Sequence, residues 1–324
     1  MQRSLTVPAI LLALLVVAPV SRAQSNERII FDEEDQKWIP VEETKVPAEG
    51  VVGQAKALLQ AGKYRQAEKL LKPYLKTATG AESDRAQALL MYADAAFLRA
   101  SYGKADTRYR NVINEFPNTG EYAISLRREF DIARTWLAGK KKRVLGIFFL
   151  NASEEALDIL SLIEQLAGGF RIAEVALWTK ADYYFRTGQF ELAEIAFRRL
   201  AKEYKSPRYH RIAMYRAAGS ALASFPGIAF DDTPLLDATQ LYTEYLQSFP
   251  NEARRENVSN ILEDIKLKRA EKEYWTGRFY GRTRRPVAAA YYYRFVIRTW
   301  PGTLWADRSR VELERMGFEV EPES

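Results

Sequence analysis

The sequence predicts an all-α protein built from helix pairs that repeat along the chain. Between Phe190 and Tyr204, apolar residues recur at alternating spacings of three and four, which places them on one face of a helix. A similar stripe runs from Leu177 to Tyr184, and Gly188 separates the two. Together they predict two amphipathic helices joined by a tight turn.

The same helix pair recurs elsewhere, each time with a small residue where the two helices approach closely. The small residues are Ala67, Ala105, Ala156, Ala193, Ala238 and Ala289. This pattern is typical of the tetratricopeptide (TPR) unit of about 34 residues. Because one pair cannot bury its apolar stripe alone, successive pairs must stack. We therefore predict an all-α TPR superhelix of about five to six helix pairs, spanning residues 51–317.

Aromatic–proline pairs support these boundaries. They are Phe116-Pro117, Phe249-Pro250 and Trp300-Pro301, and each is followed by Asn or Gly. Proline disfavours helical backbone in the residue before it, and Asn or Gly favours a turn. Each pair therefore predicts the end of a second helix. Helix is expected almost throughout the array, with no sheet in it.

The N-terminus has the pattern of a secretory signal peptide. Arg3 gives a positive start, residues 9–18 are apolar, and small residues lead to a cut between Ala23 and Gln24. The alternative is an uncleaved anchor, although the apolar block is shorter than the roughly 20 residues that a membrane span needs. We expect residues 1–23 to be removed and the protein to be periplasmic.

An acidic leader, residues 24–50, follows the predicted cut and precedes the array. Its prolines and glycine make a helix unfavourable, so we expect a short hairpin or an extended segment. Residues 318–324 form a short tail.

Composition excludes several classes of function. Cysteine is absent and His210 is the single histidine, which excludes thiolate sites, Cys nucleophiles, HExxH motifs and the lipid-modified cysteine of lipoproteins. No G-x-S-x-G and no phosphate-binding glycine motif is present. A formal charge of +6 over 324 residues gives no case for nucleic acid. We expect no enzyme activity, metal, cofactor or lipid anchor.

The candidate binding residues lie on the first helices of the predicted pairs, whose outer faces line the concave groove of a TPR array. They are Phe97 beside Asp94 in the second unit, Trp178, Asp182, Phe185 and Arg186 in the fourth, and Tyr274, Arg278 and Arg282 in the last. Aromatic side chains next to charges suit an extended peptide or a partner helix. The alternative is that these aromatic side chains pack against the adjacent repeat.

Arginines concentrate in the last unit, where Arg284 and Arg285 join Arg278 and Arg282 beside Tyr274 and Phe279. Mixtures of arginine and aromatic residues are typical of interface anchors, although arginine stems also cover helix surfaces. A second basic segment, Lys140–Arg143, precedes the apolar residues 144–150. It is either a docking element or a solvated loop followed by a buried helix or strand.

The C-terminal half resembles the BamD (YfiO) family of outer-membrane β-barrel assembly factors. The similarity rests on YFRTGQFELA at 184–193, on YLQSFPN at 245–251, and on residues 270–303, where GRFY, AAAYYYR and WPGT follow one another. It covers residues 174–317, and more loosely the chain from Val51. The resemblance implies an exported, five-repeat scaffold without enzyme activity, which binds a barrel-assembly protein and receives unfolded outer-membrane proteins. That family carries a lipidated cysteine, which this sequence lacks.

We therefore expect a periplasmic TPR scaffold that binds proteins in outer-membrane protein assembly and associates peripherally with the outer membrane. One alternative is a periplasmic TPR protein that coordinates cell-wall or division machinery, like the Tol-Pal coordinators. Another is an α-helical hydrolase, which would need two carboxylates about 5–10 Å apart in a pocket.

Overall fold

The computed structural model describes residues 29–32, 37–40, 50–77, 81–144, 148–206 and 209–319. Within these ranges there are fourteen α-helices. They are α1 Val51–Gln60, α2 Tyr64–Thr77, α3 Glu82–Leu98, α4 Tyr102–Glu115, α5 Gly120–Leu137, α6 Ser153–Leu166, α7 Arg171–Arg186, α8 Phe190–Glu203, α9 His210–Ala223, α10 Thr233–Ser248, α11 Pro250–Arg255, α12 Val258–Arg282, α13 Pro286–Thr299 and α14 Leu304–Arg315. The predicted signal peptide, with Ala23 and Gln24, lies outside the described residues.

The helices form six pairs, which confirms the predicted all-α TPR fold. In each pair a helix packs against the next one along the chain: α1 with α2, α3 with α4, α5 with α6, α7 with α8, α9 with α10, and α12 with α13. The first helices of neighbouring pairs also contact each other: α1 contacts α3, α3 contacts α5, and α5 contacts α7. α14 closes the array by packing on both α12 and α13.

The alanines of the repeat pattern occupy the predicted close approaches. All six lie on the second helix of a pair and are fully buried: Ala67, Ala105, Ala156, Ala193, Ala238 and Ala289. A larger side chain at such a position would have to displace the facing helix, because the interior is close-packed. The alanines therefore fix the spacing of the helices within each pair.

The aromatic–proline pairs end helices as predicted. Phe116, Phe249 and Trp300 each cap the C-terminus of a second helix, and their backbone amides donate to the carbonyl four residues earlier. After Trp300 the chain turns at once into α14, whose first turn is capped by the Thr303 hydroxyl accepting from the Ala306 amide at 3.2 Å. This short turn brings α14 beside α12.

Two antiparallel hairpins accompany the helices. Strands β1 Ile29–Asp32 and β2 Lys37–Pro40 pair within the leader, and β1 runs beside α5. Strands β3 Lys142–Val144 and β4 Phe148–Leu150 pair between α5 and α6. The expectation of an array without sheet was therefore wrong at this insertion. Its valine and phenylalanines favour extended backbone over helix.

Candidate functional site

The last unit contains a surface concavity of about 420 Å³ between α12 and α14, which we call the α12–α14 groove. Its lining residues are Tyr274, Trp275, Arg278, Asp307, Arg308, Val311 and Glu312. Trp275 is 40% exposed and Val311 is 62% exposed, so the groove offers apolar surface to a partner. It thus combines an aromatic wall with charged groups of both signs.

A glycine on α12 leaves room for the tyrosine ring that packs beneath this groove. Gly277 is buried against the ring of Tyr293 on α13, so closely that a Cβ at this position would lie 2.8 Å from Tyr293 Cε1. The Tyr293 ring in turn contacts the ring of Tyr274, with centroids 5.8 Å apart. Burial, followed by the nearby Glu312 carboxylate, raises the pKa of Tyr293 to about 12. This tyrosine therefore stays neutral and acts as core.

Tyr274 forms the floor of the groove rather than an exposed anchor. It is buried among the rings of Trp275, Tyr293 and Trp305, at centroid distances of 5.2–5.8 Å. Its hydroxyl accepts a hydrogen bond from Arg278 Nη1 at 3.3 Å. The sequence placed Tyr274 on the outer face of its helix. The structure differs, because α14 covers that face.

Arg278 is half-buried and held in place by its neighbours. Besides its bond to Tyr274, its guanidinium lies 3.4 Å from Glu312 and over the ring of Trp275. The hydrogen bond from the guanidinium to Tyr274 is the main reason that the pKa of Arg278 is raised. The expectation that Arg278 faces outward therefore holds only in part, since this residue also ties α12 to α14.

Residues of α14 supply the half of the groove that the sequence did not predict. The Arg308 guanidinium lies 4.8 Å over the ring of Trp305, and its side chain is exposed. Asp307 pairs with Arg310 at 2.7 Å, and Glu312 pairs with Arg315 at 2.7 Å. The available sequence signal was the mixture of apolar and charged residues along 304–315, which is typical of an amphipathic helix.

The other arginines of the predicted patch lie apart from the groove. Arg282 ends α12, Arg284 and Arg285 lie in the turn that follows, and all three are exposed. None of the three forms an ion pair with any residue in the described ranges. The single patch predicted from sequence is thus two surfaces, with Arg278 in the groove and three arginines in the turn.

In the fourth unit, the predicted aromatic residues pack largely between helices. Trp178 is half-buried, with its ring stacked on Tyr209 at 5.0 Å and edge-on to Phe197 at 5.5 Å. Phe185 contacts Phe190 and lies 5.1 Å from the guanidinium of Arg216. The remaining two predicted residues, Asp182 and Arg186, form an ion pair at 2.8 Å. A partner role for these four residues stays a prediction.

In the second unit, too, the predicted aromatic residue packs between helices. Phe97 packs edge-on against Tyr102 and Tyr109, and the Arg128 guanidinium lies 5.0 Å from its ring. Beside it, Asp94 accepts a hydrogen bond from the Tyr109 hydroxyl at 2.5 Å and pairs with Arg128 at 3.4 Å. These contacts join α3, α4 and α5, so Phe97 and Asp94 stabilise the stacking of two units.

The basic segment before the hairpin is partly engaged by the array. Lys140 lies 4.9 Å from the ring of Tyr102, and Lys142 pairs with Glu155 at 3.1 Å. Leu150, at the end of β4, is exposed. Of the helix and the strand left open for 144–150, the structure has a strand at Phe148–Leu150, while residues 145–147 lie outside the described ranges.

Two titratable side chains, Glu129 and His210, bear on the hydrolase alternative. Glu129 is fully buried on α5, and burial, followed by the nearby Asp106, raises the pKa of its carboxyl well above its ordinary range. Substrate cannot reach such a group. His210 contacts the Ala201 carbonyl and the Phe249 ring. The described ranges hold no cluster of three or more potential metal ligands.

Across the described ranges, no helix combines the length and the apolar character that crossing a bilayer requires.

Solved structures similar to the chain include TPR proteins. One is the C-terminal part of a TPR repeat-containing protein from Cytophaga hutchinsonii, at 14% identity and a TM-score of 0.37, covering 80% of this chain and 86% of that one. A thermophilic TPR protein of Thermus thermophilus has 16% identity and a TM-score of 0.27, covering 65% and 97%. The type IV pilus biogenesis factor PilW has 17% identity and a TM-score of 0.28, covering 80% and 96%.

No curated protein matches the sequence. The model of one protein family does match it, over residues 155–316, which is half of the chain. That family is described as YfiO, outer membrane lipoprotein. The matched segment begins in α6, includes the α12–α14 groove, and ends just after α14. The suspected resemblance is therefore confirmed, and the chain belongs to the YfiO family.

Proposed function

We propose that this protein is a non-enzymatic scaffold of the periplasm, which binds proteins during outer-membrane protein assembly through the α12–α14 groove. Membership of the YfiO family and the TPR fold support a role in protein–protein interaction. The observation that carries the choice of site is the exposed Trp275 and Val311 beside Arg308 in one concavity. Tryptophan and arginine are the side chains most enriched among binding hot spots.

The groove specifies the chemistry of its partner. An apolar side chain can pack between Trp275 and Val311, where it would remove both surfaces from water. Arg308 presents a forked guanidinium that forms no ion pair within the described ranges, and a carboxylate can accept two hydrogen bonds from it. The partner segment therefore carries an apolar anchor close to an acidic residue.

The family suggests which proteins carry such a segment. A barrel-assembly protein is the first candidate partner, and unfolded outer-membrane proteins are the second. Both would meet the scaffold at the inner face of the outer membrane, with the protein held there peripherally. The proposal requires no nucleic acid, metal or cofactor.

Affinity capture from envelope extract tests this proposal. The variants Trp275→Ala and Arg308→Glu remove the apolar wall and reverse the exposed charge. Each should weaken capture of a barrel-assembly protein by roughly 30-fold or more, since a hot-spot residue contributes about 2 kcal/mol. Matched controls are Leu192→Ala and Arg254→Glu, which change exposed residues of the same kinds outside the groove.

The result must distinguish binding through the groove from binding through another part of the protein surface. Wild type and both controls should retain the barrel-assembly protein, while both groove variants lose it. If the groove variants capture as much as the controls, the groove is not the binding site. If wild type captures no outer-membrane assembly protein, the functional proposal itself fails.

A further inference from the structure

The turn between α12 and α13 forms a surface that the proposed function does not use. Exposed apolar side chains flank a cluster of three arginines there. We call this surface the turn patch, and it consists of Phe279, Arg282, Arg284, Arg285, Val287 and Tyr291. Phe279 is 53% exposed, Val287 is 76% exposed and Tyr291 is 59% exposed, which is unusual for side chains with so much apolar area.

The apolar part of the turn patch is continuous across the two helices. The ring of Phe279 contacts Tyr280, whose ring stacks on Tyr292 with centroids 5.3 Å apart and planes 9° apart. Tyr292 contacts Tyr291 edge-on at 5.4 Å. Val287 precedes Tyr291 by one turn of α13 and so lies on the same face. The stacked pair therefore links the aromatic side chains of α12 to those of α13.

The charged part of the turn patch has a single sign. From Tyr274 to Ala306 the sequence contains six arginines, no lysine and no acidic residue. Two of these arginines are engaged, Arg278 with Glu312 and Arg294 with the Glu319 carbonyl. The three arginines of the turn form no ion pair within the described ranges. Their charge is therefore available to an external anion.

We propose that the turn patch is a docking surface for an anionic lipid bilayer. Tyrosine and phenylalanine are suited to the level of the headgroups, because their rings combine apolar faces with, in tyrosine, a polar tip. Arginines placed around them reach the lipid phosphates with forked hydrogen bonds. A bilayer presents negative charge over its whole surface, which complements an acid-free segment. This surface adjoins the α12–α14 groove along α12 but shares no lining residue with it.

Vesicle co-sedimentation of the full chain tests this proposal. Binding to vesicles of equal parts phosphatidylglycerol and phosphatidylcholine is compared with binding to phosphatidylcholine alone. The turn variant replaces Arg282→Gln, Arg284→Asn and Arg285→Gln, with Asn chosen because Arg284 has a φ of 58°, which Asn tolerates. Its partitioning onto anionic vesicles should fall roughly 100-fold, since each basic residue near such a surface contributes roughly a factor of five.

Two further variants separate a specific surface from net charge. The charge control replaces Arg171, Arg254 and Arg255 with Gln, three exposed arginines outside the turn, and should lose far less binding. The apolar variant, which combines Phe279→Ala and Tyr291→Ala, should also bind anionic vesicles more weakly. All chains carry the same N-terminus, so differences between them report on the substituted residues.

The outcomes decide between a lipid surface and the alternatives. Selective loss in the turn variant, with the charge control near wild type, supports the proposal. Equal loss in both triple variants, or no preference of the wild type for anionic vesicles, overturns it. Unchanged vesicle binding of the turn variant, combined with lost capture of a protein, would assign the turn patch to a protein partner and also overturn it. The groove variant Trp275→Ala should bind vesicles normally, so a failure of the proposed function does not affect this result.

Discussion

Replacing Gly277 with alanine should destabilise the last repeat unit, although alanine is the better helix former. In an exposed helix interior the change stabilises by about 0.8–1 kcal/mol. At Gly277 the new Cβ would lie 2.8 Å from Cε1 and 3.0 Å from Cδ1 of the Tyr293 ring, which is itself buried. Overpacking of this kind costs typically about 1–3 kcal/mol. The ring cannot move away easily, because Tyr274 packs on it.

Gly281, one turn later on the same helix, provides a matched control. A Cβ there would lie 3.9 Å from the Ala289 Cβ, an ordinary contact, so Gly281→Ala should show the helix gain alone. We expect the two variants to differ by about 2 kcal/mol, with Gly277→Ala the less stable. Urea titration followed by tryptophan fluorescence measures this difference, since Trp275, Trp300 and Trp305 report from the last unit. Equal midpoints for the two variants would refute the packing argument.

Three other predictions concern the array and its export. Ala193→Leu should destabilise the array by about 1–3 kcal/mol or more, because Ala193 is fully buried between helices; a thermal melt by circular dichroism checks this, with the exposed Ile195→Leu as its control. Glu129→Gln should raise stability at pH 7, because burial lifts the pKa of Glu129 in the folded state only. In the unfolded chain this carboxyl ionises above its ordinary pKa of 4.5, so wild-type stability falls as pH rises from there toward the raised value. The difference in stability between the variant and wild type should therefore disappear below about pH 4.5. Urea titrations at pH 7 and below pH 4.5 measure this difference, and a difference that does not change with pH would contradict the argument. Terminal sequencing of the exported protein should give Gln24 as the first residue, and an intact Met1 would contradict the signal peptide.

The sequence predicts the helices well because their apolar periodicity is a local property. The stripe through Phe197 and the alanine at 193 define which face of α8 is buried, whatever lies opposite. The β3–β4 hairpin was missed because it is an insertion within the repeat, and an apolar run such as 144–150 has no period that separates a strand from a buried helix. Its pairing depends on partner residues in the same short loop.

The groove was only partly predictable, because periodicity does not reveal what covers an outward face. Arg278 and Arg282 are one turn apart on α12, yet α14 lies against the first and leaves the second exposed. Trp178 similarly lies on an outer face, but Tyr209, just before α9, stacks on it. These contacts depend on how neighbouring units stack, which the periodicity of a single helix does not encode.

Photo-crosslinking from position 275 tests the central claim most directly. A photoreactive amino acid replaces the exposed Trp275 in the groove, and the same substitution at Ile195, which is exposed on α8, serves as the control. We predict a crosslinked product in intact cells that contains an outer-membrane barrel-assembly protein and forms from position 275 only. Equal products from both positions, or no such product from position 275, would contradict the proposed role of the α12–α14 groove.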